Sequence, residues 1–231
     1  MSAQPAPRPL TEPAIFDSAI THAELWNIAD ARLYAAAKRC FDFVLALLLL
    51  LVLAPVLLII VILIRTDSKG PAIYRQKRCG RYGREFTFYK FRTMHIGSEA
   101  QLDELWPQNE MTGPVFKMRR DPRVTSLGHW LRKTSMDELP QLLNVLCGEM
   151  SLVGPRPPIT EEVAFYSERE WTRLSVKPGI TCLWQVMGRS TLSFERWMEL
   201  DLEYIARRGF WYDLWIVVRT VPAVALARGA F

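Results

Sequence analysis

An uninterrupted apolar run over residues 43–64 limits what this chain can fold into more than any other feature. The run is 22 residues long and carries no charged side chain. As a helix rising about 1.5 Å per residue it would reach roughly 33 Å, which matches the hydrocarbon core of a bilayer. A buried helix of a soluble core is rarely this long and this uniformly apolar. The sequence therefore predicts that this segment is inserted into a membrane.

The central proline and the flanks of this segment leave two topologies open. Pro55 cannot donate a hydrogen bond to the carbonyl of Leu51, and its ring presses on the preceding turn. A break there would leave arms of 12 and 9 residues, each roughly one leaflet deep. Basic residues at both ends mean that neither end favours leaving the cytoplasm. They are Arg32, Lys38 and Arg39 before the run and Arg65, Lys69, Arg75, Lys77 and Arg78 after it. A re-entrant helix, with Pro55 as its kink, is favoured over a kinked spanning helix.

Charge and cysteine usage narrow the classes of partner and metal. Among the 231 residues, 29 are basic and 24 acidic, a net charge of +5. This excess suits an anionic partner such as a phosphate ligand or an acidic lipid surface. The charges are mixed along the chain rather than gathered in one patch, so no nucleic-acid partner is expected. The four cysteines show no C-x-x-C spacing and there are three histidines, which disfavours a structural zinc site.

The chain divides into three predicted parts. Residues 1–37 form a proline-rich flexible tail and a pre-membrane segment, residues 38–65 the membrane segment, and residues 66–231 a cytoplasmic, membrane-associated catalytic domain. The predicted fold class is an α-rich α/β monotopic membrane protein, with short strands and interfacial amphipathic helices. Whether it forms a homodimer is left open by the sequence.

Local patterns in the third part predict a hairpin and three helices. Strands over residues 73–76 and 85–92 flank a turn at residues 80–84. Helical spacing predicts helices over residues 136–146 and 193–207, the first capped by Thr134 or Ser135 and stopped at Gly148. Residues 210–219 are rich in aromatic side chains. They are predicted to form a helix at the water–lipid boundary, with a core helix as the alternative.

The most chemically informative stretch is residues 132–141, where Asp137 and Glu138 follow Arg132 and Lys133. Acidic residues at a helix start often serve only the helix dipole. Here a second basic loop follows, in which Arg156 lies between prolines that fix its backbone, and an arginine fork matches phosphate oxygens. Cations can offset phosphate charge so that a carboxylate attacks phosphorus, while a neighbouring carboxylate holds Mg²⁺. The sequence contains no Walker loop, G-x-G-x-x-G, H-E-x-x-H or G-x-S-x-G motif.

The order of these motifs over residues 38–225 resembles the monotopic phosphoglycosyl transferases, the bacterial sugar transferase family that begins exopolysaccharide and related glycan assembly. The matching segments are Lys38-Arg39-Cys40-Phe41-Asp42, Lys90-Phe91-Arg92-Thr93-Met94, Asp121-Pro122-Arg123-Val124-Thr125, residues 131–141, Ser151-Leu152-Val153-Gly154-Pro155-Arg156-Pro157 and Lys177-Pro178-Gly179-Ile180-Thr181. The usual Gly-Ile-Thr-Gly and Gln-Val-Asn-Gly-Arg motifs are altered to Gly179-Ile180-Thr181-Cys182 and Gln185-Val186-Met187-Gly188-Arg189. These departures fall in the region that the resemblance assigns to donor binding.

The resemblance implies transfer of a sugar-1-phosphate from a UDP-sugar to undecaprenyl phosphate, with release of UMP. It implies a covalent intermediate on Asp137 and Mg²⁺ held with Glu138. It implies that phosphate is bound by Arg132, Arg156, Lys90 and Arg92. It also implies that the nucleotide or the sugar is bound by Lys177, Thr181, Gln185 and Arg189. Galactose or glucose is the expected sugar. The implied location is the bacterial inner membrane, in contact with bilayer lipids, with the catalytic domain on the cytoplasmic face. The alternative is a catalytically inactive membrane adaptor of a polysaccharide assembly complex.

Overall fold

A computed structural model describes residues 28–189 and 192–225 of the chain. Of the predicted tail and pre-membrane segment over residues 1–37, residues 1–27 lie outside the described residues. In chain order the elements are α1 (Ile28–Asp67), β1 (Ile73–Cys79), β2 (Glu85–Phe91), α2 (Leu102–Leu105), α3 (Ser126–Thr134), α4 (Gln141–Cys147), β3 (Ser151–Val153), α5 (Thr160–Val163), α6 (Glu168–Trp171), β4 (Gly179–Thr181), α7 (Leu183–Met187), α8 (Phe194–Arg207) and α9 (Phe210–Ala225). Short 3₁₀ turns connect several of them, among them Met136–Glu138 and Thr172–Ser175. The described part is thus helix-rich with a few short strands, as predicted.

The predicted hairpin is confirmed. Strands β1 and β2 pair antiparallel, with Ile73 opposite Phe91 and Cys79 opposite Glu85. Phe86, Phe88 and Phe91 point into the protein and are buried. Because successive side chains of a strand alternate between its faces, Lys90 lies on the same face as Phe86 and Phe88, and Phe91 lies on the other.

A second, parallel pair of strands was not predicted from sequence. Strand β3 pairs with β4, with Ser151 opposite Gly179 and Val153 opposite Thr181. At the start of β4, Gly179 lies so close to Gly154, the residue after β3, that a Cβ on Gly179 would collide with the backbone of Gly154. Glycine is therefore required at this crossing, and the crossing places the loop after β3 beside the loop before β4.

Helix α1 is the one described helix that is long and apolar enough to cross a membrane by length and composition. It runs through Pro55 without interruption and begins by Ile28, ten positions before the predicted membrane segment at residue 38. Both of its ends contact the rest of the protein. Ala46 is buried in the main core, and Ile60 and Ile64 are buried in a second cluster with Phe91. Between these contacts the helix exposes large apolar side chains, including Leu51 and Val52.

Polar contacts fasten each end of α1. Near its start, Arg39 donates to the carbonyls of Val145 (2.6 Å) and Leu146 (2.8 Å) at the end of α4. Near its end, Arg92 donates to the carbonyls of Ser68 (2.8 Å) and Lys69. Val145 and Leu146 lie in the last turn of α4, where carbonyls have no intrahelical partner, and Ser68 and Lys69 directly follow the last residue of α1.

The predicted helix at residues 136–146 is only partly correct. Its first residues form the 3₁₀ turn Met136–Glu138, and α4 begins at Gln141 with Pro140 as its N-terminal flanking residue. The predicted cap at Ser135 is wrong, because Ser135 makes no side-chain capping bond and adopts a left-handed conformation (φ 57°). The predicted stop at Gly148 is confirmed by its φ of 81°.

The two C-terminal helices match their predicted positions closely. Helix α8 starts after Ser193, whose hydroxyl accepts a hydrogen bond from Arg196 N, and it buries Trp197, Leu200 and Tyr204. Helix α9 extends to Ala225, past the predicted residue 219. It has two distinct faces, because Ile216 is fully buried whereas Trp211 is 77% exposed.

Candidate active site

A cavity of about 270 Å³ opens between β2, the 3₁₀ turn Met136–Glu138, the loop after β3, and helices α7 and α8. Six basic and three acidic side chains line it. They are Lys90, Lys117, Arg123, Arg132, Arg156 and Arg189, with Asp121, Asp137 and Glu138. Such an excess of cations in a concave site favours an anionic ligand.

The turn that carries Asp137 and Glu138 is positioned by the end of α3. Thr125 caps α3 by accepting a hydrogen bond from Gly128 N at 2.9 Å. A Cβ at Gly128 would collide with the carbonyl of Thr93, so the helix can lie directly against the segment after β2. Helix α3 ends at Thr134, and the left-handed backbone of Ser135 then reverses the chain into the 3₁₀ turn. A non-glycine residue in this conformation is strained, a feature common at functional sites.

Asp137 is a buried carboxylate that faces a cation. Its side chain is 8% exposed, and Oδ2 lies 3.9 Å from Nζ of Lys90. Burial raises the pKa of Asp137 to about 6, although the charge of Lys90 opposes the increase. Burial likewise lowers the pKa of Lys90 to about 8, against the opposing charge of Asp137. At neutral pH the pair is therefore an ionised carboxylate beside an ammonium group.

Glu138 is held by the loop after β3. Nη1 of Arg156 lies 3.1 Å from Oε1 of Glu138, and Nε2 of Gln185 lies 3.5 Å from Oε2. These contacts orient the Glu138 carboxylate within the same cavity as Asp137. Two neighbouring carboxylates therefore have different environments, one buried against a lysine and one paired with an arginine.

The backbone of the loop at residues 155–158 is fixed at every carbonyl, in keeping with the rigidity predicted from its prolines. Each of the four carbonyls accepts a hydrogen bond: Pro155 O from Gly179 N (2.9 Å), Arg156 O from Arg173 Nη2 (3.2 Å), Pro157 O from Arg78 Nη1 (2.9 Å) and Pro158 O from Cys79 N (2.9 Å). Arg173 is itself buried in an ion pair with Asp201 at 2.8 Å. Arg156 thus projects from an immobilised backbone.

Arg132 and the Asp121–Arg123 pair complete the cavity wall. Nε of Arg132 donates to the Thr93 hydroxyl at 3.0 Å, which leaves its other guanidinium donors for a ligand. Burial lowers the pKa of Arg132. Arg123 forms a two-point contact with Asp121, at 2.9 and 2.7 Å. That internal pairing makes Asp121 and Arg123 part of the wall's structure.

Seven residues predicted for the site line this one cavity: Asp137, Glu138, Arg132, Arg156, Lys90, Gln185 and Arg189. Three others lie elsewhere. Arg92, predicted to bind phosphate, donates instead to carbonyls at the end of α1. Thr181, predicted to bind nucleotide or sugar, shares a hydrogen bond of 2.6 Å with Thr220 of α9. Lys177, placed in the same group, lies among the charges of Arg39 and Asp42 near the start of α1.

Several cavity residues were not predicted from sequence. Lys117, Phe116, Trp184 and Trp197 all line the cavity. The tryptophans follow apolar spacing that is typical of a core, and no charge pattern marks Lys117. Asp121 and Arg123 belong to a motif that carried the resemblance, and that motif is the only sequence signal that could have found them.

The chain belongs to the bacterial sugar transferase family, whose model matches residues 33–227. This match agrees with the resemblance in the sequence motifs, and it includes every residue that lines the cavity.

Individual relatives are similar over most of this chain. It is 49% identical over 72% of its length to the galactosyl transferase CpsE of Streptococcus agalactiae, and covers 37% of that protein. It is 37% identical over 94% of its length to the undecaprenyl-phosphate galactose phosphotransferase of Salmonella typhimurium, and covers 46% of it. It is 42% identical over 84% of its length to the UDP-glucose:undecaprenyl-phosphate glucose-1-phosphate transferase of Caulobacter vibrioides, and covers 72% of it. The chain thus spans less than half the length of the first two.

Proposed function

We propose that this chain transfers a sugar-1-phosphate from a UDP-sugar to undecaprenyl phosphate, releases UMP, and so begins the assembly of an exopolysaccharide or a related glycan at the membrane. The observation that carries this proposal is the buried Asp137 carboxylate, 3.9 Å from Lys90, in a cavity whose charged lining residues are mainly cations. The relatives' names support the substrates. They point to galactose or glucose as the sugar, with galactose named in two of the three.

In the first step, an Oδ atom of Asp137 attacks the phosphorus that bears the sugar. A bond forms between the carboxylate and phosphorus, and the bond from phosphorus to the UMP oxygen breaks. UMP leaves with the electron pair of that bond. Lys90, Arg132 and Arg156 offset the charge that would otherwise keep a carboxylate away from a diphosphate.

In the second step, an oxygen of the lipid phosphate attacks the same phosphorus. The bond between phosphorus and the Asp137 carboxylate breaks, which regenerates the carboxylate and forms a lipid diphosphate sugar. Splitting the transfer in two means that the cavity need not hold the phosphates of donor and acceptor at the same time. The burial of Asp137 (6% exposed) also restricts water from hydrolysing the acyl phosphate.

The donor set of the cavity fits Mg²⁺. No group of three or more His, Cys, Asp or Glu side chains in residues 28–189 and 192–225 could hold a metal ion alone. Mg²⁺ commonly binds through one or two carboxylates and takes its other ligands from substrate phosphates and water. We propose Glu138 as its protein ligand, since this carboxylate has lone pairs beyond those engaged by Arg156 and Gln185. When bound, the metal would neutralise diphosphate charge.

The contacts of α1 support a re-entrant membrane topology. Ala46 and Ile60 are both buried against the same protein body. Only residues 47–59 lie between them, 13 residues that span about 20 Å as a straight helix. A bilayer's hydrocarbon core is about 30 Å thick. The segment is thus too short to reach the far side, and we propose that both ends of α1 face the cytoplasm at the inner membrane.

The test is a screen of UDP-sugars with polyprenyl phosphate, following UMP release by the purified chain in nanodiscs. Release that requires both the lipid phosphate and Asp137 is expected with UDP-galactose or UDP-glucose. With donor alone, at most one UMP per protein should appear, together with a phosphosugar adduct on the peptide containing Asp137. Release of UMP at the wild-type rate by the Asp137→Asn variant would refute the assignment of Asp137 as the nucleophile. Inactivity with every UDP-sugar would favour the adaptor alternative.

A further inference from the structure

Lys117 is a basic cavity residue that the two steps above do not use. Its Nζ lies 5.7 Å from the centroid of the Trp184 ring. Trp184 in turn contacts Trp197, with ring centroids 4.7 Å apart, and both rings are more than nine-tenths buried. The ammonium group therefore lies over a fixed aromatic surface, a favourable position for a partly desolvated cation.

The loop that carries Lys117 is held in place by one asparagine. Oδ1 of Asn109 accepts hydrogen bonds from Lys117 N (2.8 Å) and Met111 N (3.1 Å), while Nδ2 donates to Val115 O (3.0 Å). The carbonyl of Lys117 accepts a further bond from Glu110 N at 2.8 Å. A lysine whose backbone is bonded on both sides and whose stem is half-buried is positioned at the cavity rather than merely solvated.

Lys117 shares the cavity with Arg156. Burial and, to a smaller extent, the charge of Arg156 together lower the pKa of Lys117 to about 8. The two cations are thus within electrostatic reach of each other. Like charges in a partly buried site repel, and an anion between them removes that cost. Arg156 can take part because its contact with Glu138 uses only one of the five donors of its guanidinium group.

We propose that Lys117 and Arg156 form a phosphate-binding subsite on the Trp184 side of the cavity, separate from the Lys90–Asp137 pair. The identity of the ligand rests on the proposed function. The phosphate that leaves with the nucleotide and the phosphate of the incoming lipid are joined to the same phosphorus in turn, from the side opposite Asp137. One subsite can therefore hold the phosphate of the leaving nucleotide and, after it has left, the phosphate of the lipid.

The first experiment uses the wild-type chain in nanodiscs and needs no substitution. Lysines are labelled with a limiting amount of an amine-acylating reagent, and labelling of the Lys117 peptide is quantified by mass spectrometry. UMP, inorganic phosphate and short-chain polyprenyl phosphate are each expected to protect Lys117 severalfold. Uridine and the matching polyprenol, which lack the phosphate, are expected not to. Labelling of Lys77, an exposed residue of β1, provides the internal reference.

The pattern of protection identifies the source of the phosphate. Protection by UMP alone assigns the subsite to the leaving nucleotide, and protection by the lipid phosphate alone assigns it to the acceptor. Protection by both UMP and the lipid phosphate supports binding of the two phosphates to the subsite in turn. Protection by uridine or polyprenol equal to that by their phosphates overturns the proposal, and so does the absence of protection by any phosphate.

Substitutions provide a second measurement of the same subsite. Lys117→Met keeps the aliphatic stem and should weaken UMP binding about tenfold, a typical loss for one charge-assisted contact, without changing uridine binding. Lys117→Arg should retain most of the affinity, and Lys77→Met should leave it unchanged. Equal UMP affinity in Lys117→Met and wild type refutes the subsite. This result is independent of turnover: failure of the UDP-sugar screen refutes the proposed function, whereas unaltered binding of UMP and inorganic phosphate refutes only the subsite.

Discussion

Replacing Asp137 with asparagine is expected to stabilise the fold at neutral pH while it abolishes turnover. Burial raises the pKa of Asp137 from 3.8 to about 6. Each pH unit of that interval corresponds to about 1.4 kcal/mol, so keeping the carboxylate ionised in the fold costs about 3 kcal/mol. The side chain is 8% exposed, so solvent screening reduces this cost little.

The stability difference between Asp137→Asn and wild type depends on pH, and the raised pKa of Asp137 determines its direction. A carboxyl group with a higher pKa in the folded state binds its proton more tightly there than in the unfolded chain. The wild type therefore loses stability as pH rises from about 4 to about 6, and it does not regain this loss above that range. The asparagine of the variant has no such proton. The stability advantage of Asp137→Asn should be near zero at pH 4 and reach up to about 3 kcal/mol above pH 7.

Thermal unfolding in nanodiscs, followed by tryptophan fluorescence between pH 4 and 8, measures this difference. For a domain of this size, 3 kcal/mol corresponds to about 6–12 °C in Tm. Asp121→Asn is the matched control, for which a change in stability of the opposite sign is expected. Burial raises the pKa of Asp121, but the hydrogen bonds and charge of Arg123 outweigh burial and leave the pKa below its ordinary value. That variant should lose stability at neutral pH. The reasoning is refuted if Asp137→Asn is no more stable than wild type at pH 7.5.

Four further outcomes are expected. The kcat/KM for UMP release should fall about tenfold per pH unit below about 6, because Asp137, the proposed nucleophile, must be ionised, and a pH-independent rate down to pH 5 would contradict this. Excess EDTA should stop turnover and Mg²⁺ should restore it, whereas full activity in EDTA would exclude Glu138 as a metal ligand. Cysteines placed at Ala35 and Lys69, in a chain with both exposed native cysteines replaced by serine, should both resist a membrane-impermeant thiol reagent in intact cells, and labelling of either would indicate a spanning helix. Arg92→Met should lower stability by about 2 kcal/mol or more through loss of the carbonyl contacts at the end of α1, and an unchanged Tm would show that those contacts contribute little.

The sequence predicted the structural features that are determined by residues close to one another in the chain. The hairpin follows from alternating aromatics around a glycine turn, and the end of α4 follows from Gly148. The break at Ser135 was not predictable, because it depends on α3 packing against Thr93, more than 40 positions earlier. The parallel pairing of β3 with β4 likewise depends on contact between segments that are distant in sequence.

The same distinction explains which site residues the sequence could identify. Asp137 and Arg156 stand out because charged residues adjoin rigid or helix-starting segments. Arg92 carries the same fork of donors as Arg156, but its partners are the carbonyls at the end of α1. Sequence does not reveal which acceptor a guanidinium group meets in space. Lys117 is positioned by Asn109, and neither residue belongs to a pattern that indicates a site.

The polar contacts that Arg39 and Arg92 make at the two ends of α1 have a consequence for the order in which the protein folds and enters the membrane. Arg39 holds the end of α4, the helix that follows Asp137 and Glu138, while Arg92 ties the other end of α1 to the strand that carries Lys90. In the proposed topology, we expect both sets of contacts to form only after the apolar segment has entered the bilayer. We expect the cavity to take shape only after insertion, so that donor sugars in the cytosol are not consumed by chains that have no lipid acceptor within reach. Donor-dependent UMP release by chains synthesised without membranes would contradict this order of events.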